Sequence, residues 1–376
     1  MNESNFLNDY AVWVLLPTLR TDDPNLKYYY DFEPALAEYT AAFAALGVSW
    51  QWTAVSIDEI EKVASTIESM SGGRTPCVIN LCDGDETNGV PGISVVRELE
   101  KRNWVYTGAR EYFYHVTTSK IPMKRAFDAH HVSTAAWCQV EESTPPEQIF
   151  DVCGRPAILK PAVSGGSLGL SIRNVVSTAE EARLCVSELL AGYHGWDLRS
   201  GGIIAETFIN GREFTTFIIG SGDNLYVYPP VERVFHESLP GNERFLSFDR
   251  LWETYDTEAA MPNNEDLYRY AVPEEPLHAA LEQLSKEAYR AVRGTGYGRL
   301  DIRSDAATGK LYVLEVNAQC GLSEDENYTS IGAILRFAGE SFATMTKRVI
   351  EDALRAYAEK GEWRGRSDDN DREKLA

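Results

Sequence analysis

Between residues 10 and 108 the chain alternates short apolar runs with helix-periodic ones, and that alternation leaves few folds open. Residues 10–16 read as a buried strand, 33–46 as a helix stopped by Gly47, and 50–55 as a second strand. A helix over 57–70, a strand over 77–82, a helix over 91–101 and a short strand over 104–106 follow. Strands separated by helices pair in parallel, because a crossover of that length is what returns the chain to the same end of a sheet. The expected unit is doubly wound, with ligands beyond the carboxyl ends of its strands. Asp83, Gly84, Asp85 and Glu86 follow the third strand and so lie at such an end. A solvated acidic loop is the competing account of them.

With 376 residues, 44% of them hydrophobic, the chain has material for more than one domain of about 100–200 residues. It has no apolar run of about 18 residues, so no membrane-spanning helix is expected. A formal charge of −21 opposes nucleic acid and anionic membranes as partners, since both need basic surface. The six cysteines are scattered, with no CxxC pair. That argues against a disulfide framework or a zinc site and for a reducing cytoplasm. The polar, acidic first residues are not expected to be a targeting segment.

The fold class expected is α/β (α+β), with an N-terminal doubly wound domain over 1–117 followed by two further units. A central unit over 118–204 has a helix at 121–129, a strand at 157–160, a glycine-rich loop, a strand at 170–175 and a helix at 178–190. A third unit over 205–360 has two hairpins and a helix at 277–293. That helix carries Leu277, Leu281, Leu284, Ala288 and Val292 on one face, with Gly294 as its C-cap. Residues 361–376 read as a flexible, frayed tail.

The most informative local pattern is a predicted hairpin of 298–303 and 311–317 turning near Ala307 and Thr308. Alternation puts Arg299, Asp301, Glu315 and Asn317 on one face, and Leu300, Ile302, Tyr312, Leu314 and Val316 on a core face. Asp301 then lies opposite or nearly opposite Glu315, and two carboxylates so paired repel. A divalent cation between them removes that cost. Three oxygen side chains with no soft ligand suit Mg²⁺ or Mn²⁺, with phosphate oxygens completing the shell. An exposed polar face with arginine–carboxylate pairs is the alternative.

Two more segments carry chemistry. Lys160 ends a buried strand and leads into Ser164, Gly165, Gly166, Ser167, Leu168 and Gly169, where glycines let backbone N–H groups approach phosphate oxygens. No Gly-Lys-Ser/Thr closes this loop, so it is not a Walker A motif. Residues 203–213 form a strand ending near Glu206, an Asn210-Gly211 turn of the tight-hairpin type, and then Glu213. A nucleotide can sit between two such acids, and a purely structural hairpin is the alternative. Lys120 and Lys124 open a helix, and either is solvated or reaches a phosphate.

In this order, from Ile79 to Gly339, the pieces resemble the D-alanine–D-alanine ligase branch of the ATP-grasp superfamily. The most specific part is Gly298-Arg299-Leu300-Asp301 with Leu314-Glu315-Val316-Asn317-Ala318-Gln319-Cys320-Gly321. The resemblance implies three domains with ATP between the central and C-terminal ones, and a homodimer. It implies that Asp301, Glu315 and Asn317 hold two Mg²⁺ ions (or Mn²⁺), and that Arg299 stabilises an acyl phosphate and a tetrahedral intermediate. Lys120 and Lys160 would contact the ATP phosphates, and the Ser164–Gly169 loop, with Ser167, would close over them. Glu206, Thr207, Phe208 and Ile209 would line the adenine pocket, with Glu213 on the ribose. Glu86, Gly89 and Gly92 match an acidic, glycine-containing segment of the N-terminal domain.

The departures lie in the substrate regions. The family's N-terminal glycine pair followed by a serine and a glutamate is absent; 15–20 and the aromatic run Tyr28, Tyr29, Tyr30 stand there. The loop has Gly166 where the family has the first of two serines. After Gly321 comes the acidic run Ser323, Glu324, Asp325, Glu326, expected to repel a second carboxylate. Residues 245–255, with Arg250, Trp252 and Tyr255, occupy the place of a substrate-covering loop. The sequence-based expectation is therefore a carboxylate–amine ligase of specialised metabolism acting on small molecules, with Glu86, Trp252, Tyr255, Gly321 and Glu326 as substrate contacts. Cell-wall D-alanine–D-alanine ligation and a non-catalytic nucleotide-binding module are the alternatives.

Overall fold

The computed structural model describes residues 7–20, 32–193, 195–255, 257–262, 265–327 and 329–373. The aromatic run Tyr28, Tyr29, Tyr30 lies outside them. Strands β1 (Tyr10–Pro17), β2 (Trp50–Val55), β3 (Thr75–Asn80) and β4 (Val105–Tyr106) make a parallel sheet in the order β2-β1-β3-β4. Helices α1 (Glu33–Leu46), α2 (Ile60–Met70) and α3 (Ile93–Lys101) alternate with them, as the apolar pattern requires. β3 stops at Asn80 rather than at 82, because the Asn80 side chain accepts the Cys82 N–H at 3.1 Å and turns the chain out of the ladder. Residues 57–59 form a 3₁₀ turn ahead of α2.

α4 (Glu111–Thr118) and α5 (Lys120–Ala129) lead into the central sheet. There β5 (Trp137–Val140), β6 (Ala157–Pro161), β7 (Val175–Val176) and β8 (Ile203–Thr207) pair antiparallel in the order β5-β8-β6-β7. Helices α6 (Pro146–Cys153) and α7 (Ala179–Ala191) cover one face. The strand expected over 170–175 is mostly a 3₁₀ turn, 172–174. The cause is Asn174. Its amide donates to Leu159 O and Gly169 O and accepts from the Ser171 N–H, so the chain winds around one buried side chain.

The third sheet holds β9 (Glu213–Ser221), β10 (Asn224–Val227), β11 (Val231–Phe235), β12 (Tyr268–Ala271), β13 (Tyr297–Ser304) and β14 (Leu311–Ala318), with β9 between β11 and β13. α8 (Phe248–Trp252) packs Phe248 and Trp252 into the core of the central sheet, whereas α9 (Glu275–Ala291), α10 (Ser330–Ala338) and α11 (Phe342–Glu373) flank the third. The backbone of α11 runs on through 361–373, where the sequence suggests a tail.

Three expectations change here. Asn210-Gly211 is not a hairpin turn, because β8 belongs to the central sheet and β9 to the third, so the segment carries the chain from one sheet to the next. The residue that closes α9 in the left-handed region is Arg293 (φ 52°), while the Gly294 N–H bonds back to Tyr289 O. In the β13–β14 ladder Asp301 does face Glu315, but Ile302 pairs with Val313, so Leu314 is an extra residue in a bulge. Side-chain alternation flips there, and Val313 takes the core place expected for Tyr312 and Leu314.

One apolar core spans what the sequence divides. Val12, Val14 and Ile79 of the first sheet pack with Tyr39 and Phe43 of α1, Phe217 and Tyr297 of the third sheet, Ile331 and Leu335 of α10, and Met345 and Val349 of α11. A second core under β13 and β14 gathers Leu300, Ile302, Val313 and Val316 against Leu281 and Tyr289 of α9 and Phe113 and Phe127. With that face buried, Arg299, Asp301 and Arg303 must lie on the other.

The sheet-to-sheet crossing gives a test. A Cβ on Gly211 meets Ser304 O at 1.8 Å, a backbone atom that cannot step aside. Gly211→Ala is expected to destabilise the protein by about 1–3 kcal/mol in urea unfolding; an unchanged midpoint contradicts this packing.

Candidate active site

The exposed face of β13 and β14 and the central sheet converge on one cleft. On β6 and β8, Ile158 pairs with Glu206 and Lys160 with Ile204, so Lys160 and Glu206 share a face. Lys160 Nζ lies 2.7 Å from Glu206 Oε2, and Lys124 Nζ of α5 lies 2.5 Å from Glu206 Oε1. Lys124 is fully buried and also donates to Thr134 Oγ1 at 2.6 Å. Burial pushes its ammonium down from the usual lysine range, opposed by Glu206. For Glu206 burial raises the carboxyl, but Lys124 and Lys160 outweigh it and hold it at about 2. Of the two α5 lysines, Lys124 is therefore structural. Lys120 is the one that turns into the cleft, 3.3 Å from Glu315 Oε2 and 3.4 Å from Ser164 O.

Across the cleft, Asp301 and Glu315 share a rung. Asp301 Oδ2 accepts from Arg299 and from Asn317 Nδ2, both at 3.0 Å, and Oδ1 accepts from Thr215 Oγ1 at 3.1 Å. Asn317 Nδ2 also reaches Glu315 Oε1 at 3.3 Å. Burial raises the Glu315 carboxyl, yet Lys120, Lys160 and Arg299 bring it down to about 2. Its side chain keeps 27% exposure, so this anion borders an open cleft rather than a core. Arg299 is held charged, with burial opposing and Asp301 and Glu315 favouring the cation.

Among the described residues, no three His, Cys, Asp or Glu side chains cluster as a metal set. A hard cation here must use Asp301, Glu315 and the amide of Asn317. The donors fit. All are oxygen, and Asn317 already lies between the two carboxylates, where a half-turn of its amide presents Oδ1. Arg299 Nε is buried with no hydrogen-bond partner, a donor suited to a phosphate or acyl oxygen.

The glycine loop closes one side. Gly166 and Ser167 have φ of 55° and 59°, and Ser167 Oγ donates to Leu246 O at 3.0 Å. Trp252 Nε1 donates to Gly166 O at 2.9 Å, and its ring stands 3.1 Å from where a Gly166 Cβ would be. Residues 245–252 thus cover the loop. Arg250 points elsewhere, into buried pairs with Glu243 and Glu258 at 3.0 Å. Tyr255 follows in the left-handed region at φ 49°.

The remaining predicted residues fall in defined places. Phe208 packs on Phe245 and Ile158, beside Thr207 and Ile209 at the end of β8. Glu213 is buried between Arg233 and Arg303, with Arg303 at 3.0 Å, and these cations outweigh burial to keep its carboxyl low. Glu86 accepts from the Gly92 and Ser94 N–H groups at 3.0 and 2.7 Å, capping α3. Glu326 pairs with Arg336 on α10, and Gly321 follows the buried Cys320. Sequence reasoning missed Thr215, Arg303 and Gln319. Thr215 and Arg303 share the polar face of the strands, so alternation on β9 would have found Thr215; nothing local marks Gln319.

The cluster around Glu206 predicts an acid sensitivity. Glu206 drops from its ordinary 4.5 to about 2 on folding. The stability it contributes is complete above that ordinary value and is lost as pH falls toward 2. Lys124→Met is expected to cost about 3 kcal/mol at neutral pH and to move acid unfolding to higher pH, read by fluorescence. An unmoved acid midpoint contradicts the assignment.

A family model described as the D-ala D-ala ligase C-terminus matches residues 126–351. D-alanine–D-alanine ligase B of Xanthomonas campestris pv. campestris is 25% identical over 303 residues, covering 80% of this chain and 85% of that protein. The D-alanine–D-alanine ligase of Polaromonas naphthalenivorans is 27% identical over 291 residues, covering 76% and 80%. The crystal structure of the D-alanine–D-alanine ligase of Bacillus anthracis complexed with ATP superposes with a TM-score of 0.63 at 16% identity, covering 93% of this chain and 99% of that one.

Proposed function

The chain belongs to the D-alanine–D-alanine ligase family of ATP-grasp enzymes, and from that premise we propose that it joins two D-alanine molecules, activating the carboxylate of one with ATP and coupling it to the amine of the other. The observation that carries this is the facing of Asp301, Glu315 and Asn317 by Lys120 and Lys160 across one cleft, with Arg299 beside Asp301 on the same strand.

The chemistry follows from the charges. A carboxylate and a triphosphate repel, and phosphoryl transfer needs that charge neutralised in place. Lys120 and Lys160 bind the phosphates, with the 164–169 loop over them. Glu206 to Ile209 line the adenine, and Glu213 meets the ribose. Asp301, Glu315 and Asn317 hold Mg²⁺ (or Mn²⁺), which when bound neutralises phosphate charge. Arg299 Nε, the donor with no partner, meets the oxygen that becomes negative when the amine attacks the acyl carbon. The cover from 245 to 252 excludes water that would hydrolyse an acyl phosphate. The proposal takes the enzyme to be a cytoplasmic homodimer; among the described residues no helix is long and apolar enough to cross a membrane.

The acidic run after Gly321 is a weaker barrier to a second carboxylate than the sequence suggests. Of these acids, Glu326 is neutralised by Arg336. This and the relatives favour D-alanine over a specialised-metabolism substrate. One observation keeps a second substrate class in view: Gly166 of the glycine loop stands where the family has a serine and packs against Trp252 of the covering segment, so the closure of the cleft is built differently.

Phosphate release from Mg-ATP is expected to depend on D-alanine and to yield the dipeptide. Glu315→Gln is expected to lower kcat by about 100-fold or more. Release that requires a different amine and leaves D-alanine untouched would return the specialised-metabolism account, and full Mg²⁺-dependent turnover by Glu315→Gln would remove the metal assignment.

A further inference from the structure

We propose that Gln319 is a positioning residue for this ligation, the bolt that fixes the metal-binding strand against the N-terminal sheet. The inference rests on the proposed function for its catalytic readout alone. Gln319 lies two residues beyond Asn317, just past the end of β14, and is 3% exposed. Its backbone is in the left-handed region at φ 53°, a conformation that a residue other than glycine, asparagine or aspartate adopts only when its surroundings hold it.

The surroundings are both ends of one amide. Oε1 accepts the Ala109 N–H at 2.6 Å, and Nε2 donates to Asn80 O at 2.9 Å. Asn80 ends β3, and Gly108 and Ala109 follow β4, so both partners lie beyond the carboxyl ends of the parallel sheet. That is the edge where such sheets hold ligands. The fit is close: a Cβ on Gly108 would fall 1.6 Å from Gln319 Oε1. The same junction is reinforced where the Arg110 N–H bonds Thr295 Oγ1 at 2.9 Å and where a Gly296 Cβ would fall 2.0 Å from Gly108 O.

Gln319 touches neither the phosphates nor the metal ligands. It sets the distance between a strand that carries Glu315 and Asn317 and a sheet edge that contributes Glu86. Misplacement of reacting groups by about 1 Å costs on the order of 100-fold in rate, while nucleotide contacts made by Lys120 and Lys160 are unaffected. The amide is also specific. Leucine fills the space with neither bond. Glutamate keeps the acceptor for Ala109, and only its protonated form can donate to Asn80 O.

The test compares Gln319→Leu and Gln319→Glu with the parent, using kcat, KM for Mg-ATP and hydrogen exchange of residues 107–110. Gln319→Leu is expected to lose about 10- to 100-fold in kcat with KM for Mg-ATP within about threefold, and to lose exchange protection at Ala109. Gln319→Glu keeps the acceptor for Ala109 and is expected to retain exchange protection there, with a kcat between those of Gln319→Leu and the parent. A folded Gln319→Leu with parental kcat, or a Gln319→Glu that loses exchange protection at Ala109 as fully as Gln319→Leu, overturns the proposal. If the parent itself shows no D-alanine-dependent turnover, the functional proposal fails, and unchanged exchange at 107–110 in Gln319→Leu then overturns this one separately.

Discussion

Two carboxylates face each other across a single rung of the β13–β14 ladder, and the rest of the site is organised by that repulsion. Asp301 and Glu315 are tolerated there because Arg299, Lys120, Asn317 and Thr215 each donate to one of them or pair with it. The rung exists because the bulge at Leu314 lies between it and the turn; without that extra residue Asp301 would face Leu314. On the turn side of the bulge the alternation is inverted, so Val313 fills the core while Asp301, Glu315 and Asn317 keep the cleft. Burial of Leu300, Ile302 and Val316 on the back of the hairpin then fixes which way the acids point.

The lysines arrive from a different sheet, and their separation by role is a matter of burial. Lys124 is sealed beneath Glu206 and Thr134, where a desolvated ammonium survives because its partner is ionised. Lys160 shares that partner from the cleft side with 11% of its side chain exposed. Glu206 therefore ties the cleft lysine to the buried one, and three charges sit in fixed places before any ligand arrives. Preorganised charge of this kind needs no rearrangement when a phosphoryl group moves.

Much of this was legible in the sequence where the signal is local. The parallel sheet followed from apolar alternation over residues 10–106, and counting back from the turn brought Asp301 to within one residue of Glu315, the bulge at Leu314 supplying the last step. The errors lie where a side chain or a distant segment overrides local pattern. Asn174 wound an expected strand into a turn, and Asn210-Gly211 has the composition of a hairpin but spans two sheets. The leucine at 314 reads as core until the bulge is known. Gln319 was invisible because both of its partners are backbone atoms more than 200 residues away. The neutralisation of Glu326 was equally hidden, because Arg336 stands ten residues further on, in the second turn of α10.

The central claim is that this cleft activates a carboxylate by phosphorylating it. The most direct measurement uses D-alanine carrying ¹⁸O in both carboxylate oxygens, turned over with Mg-ATP, with the released phosphate analysed by mass. If the γ-phosphoryl group is transferred to the carboxylate and the amine then displaces phosphate from the acyl carbon, the oxygen between them leaves with phosphorus, and each phosphate carries one ¹⁸O. Phosphate with no label, its new oxygen drawn from water, would mean that ATP is hydrolysed without forming an acyl phosphate and would contradict the account.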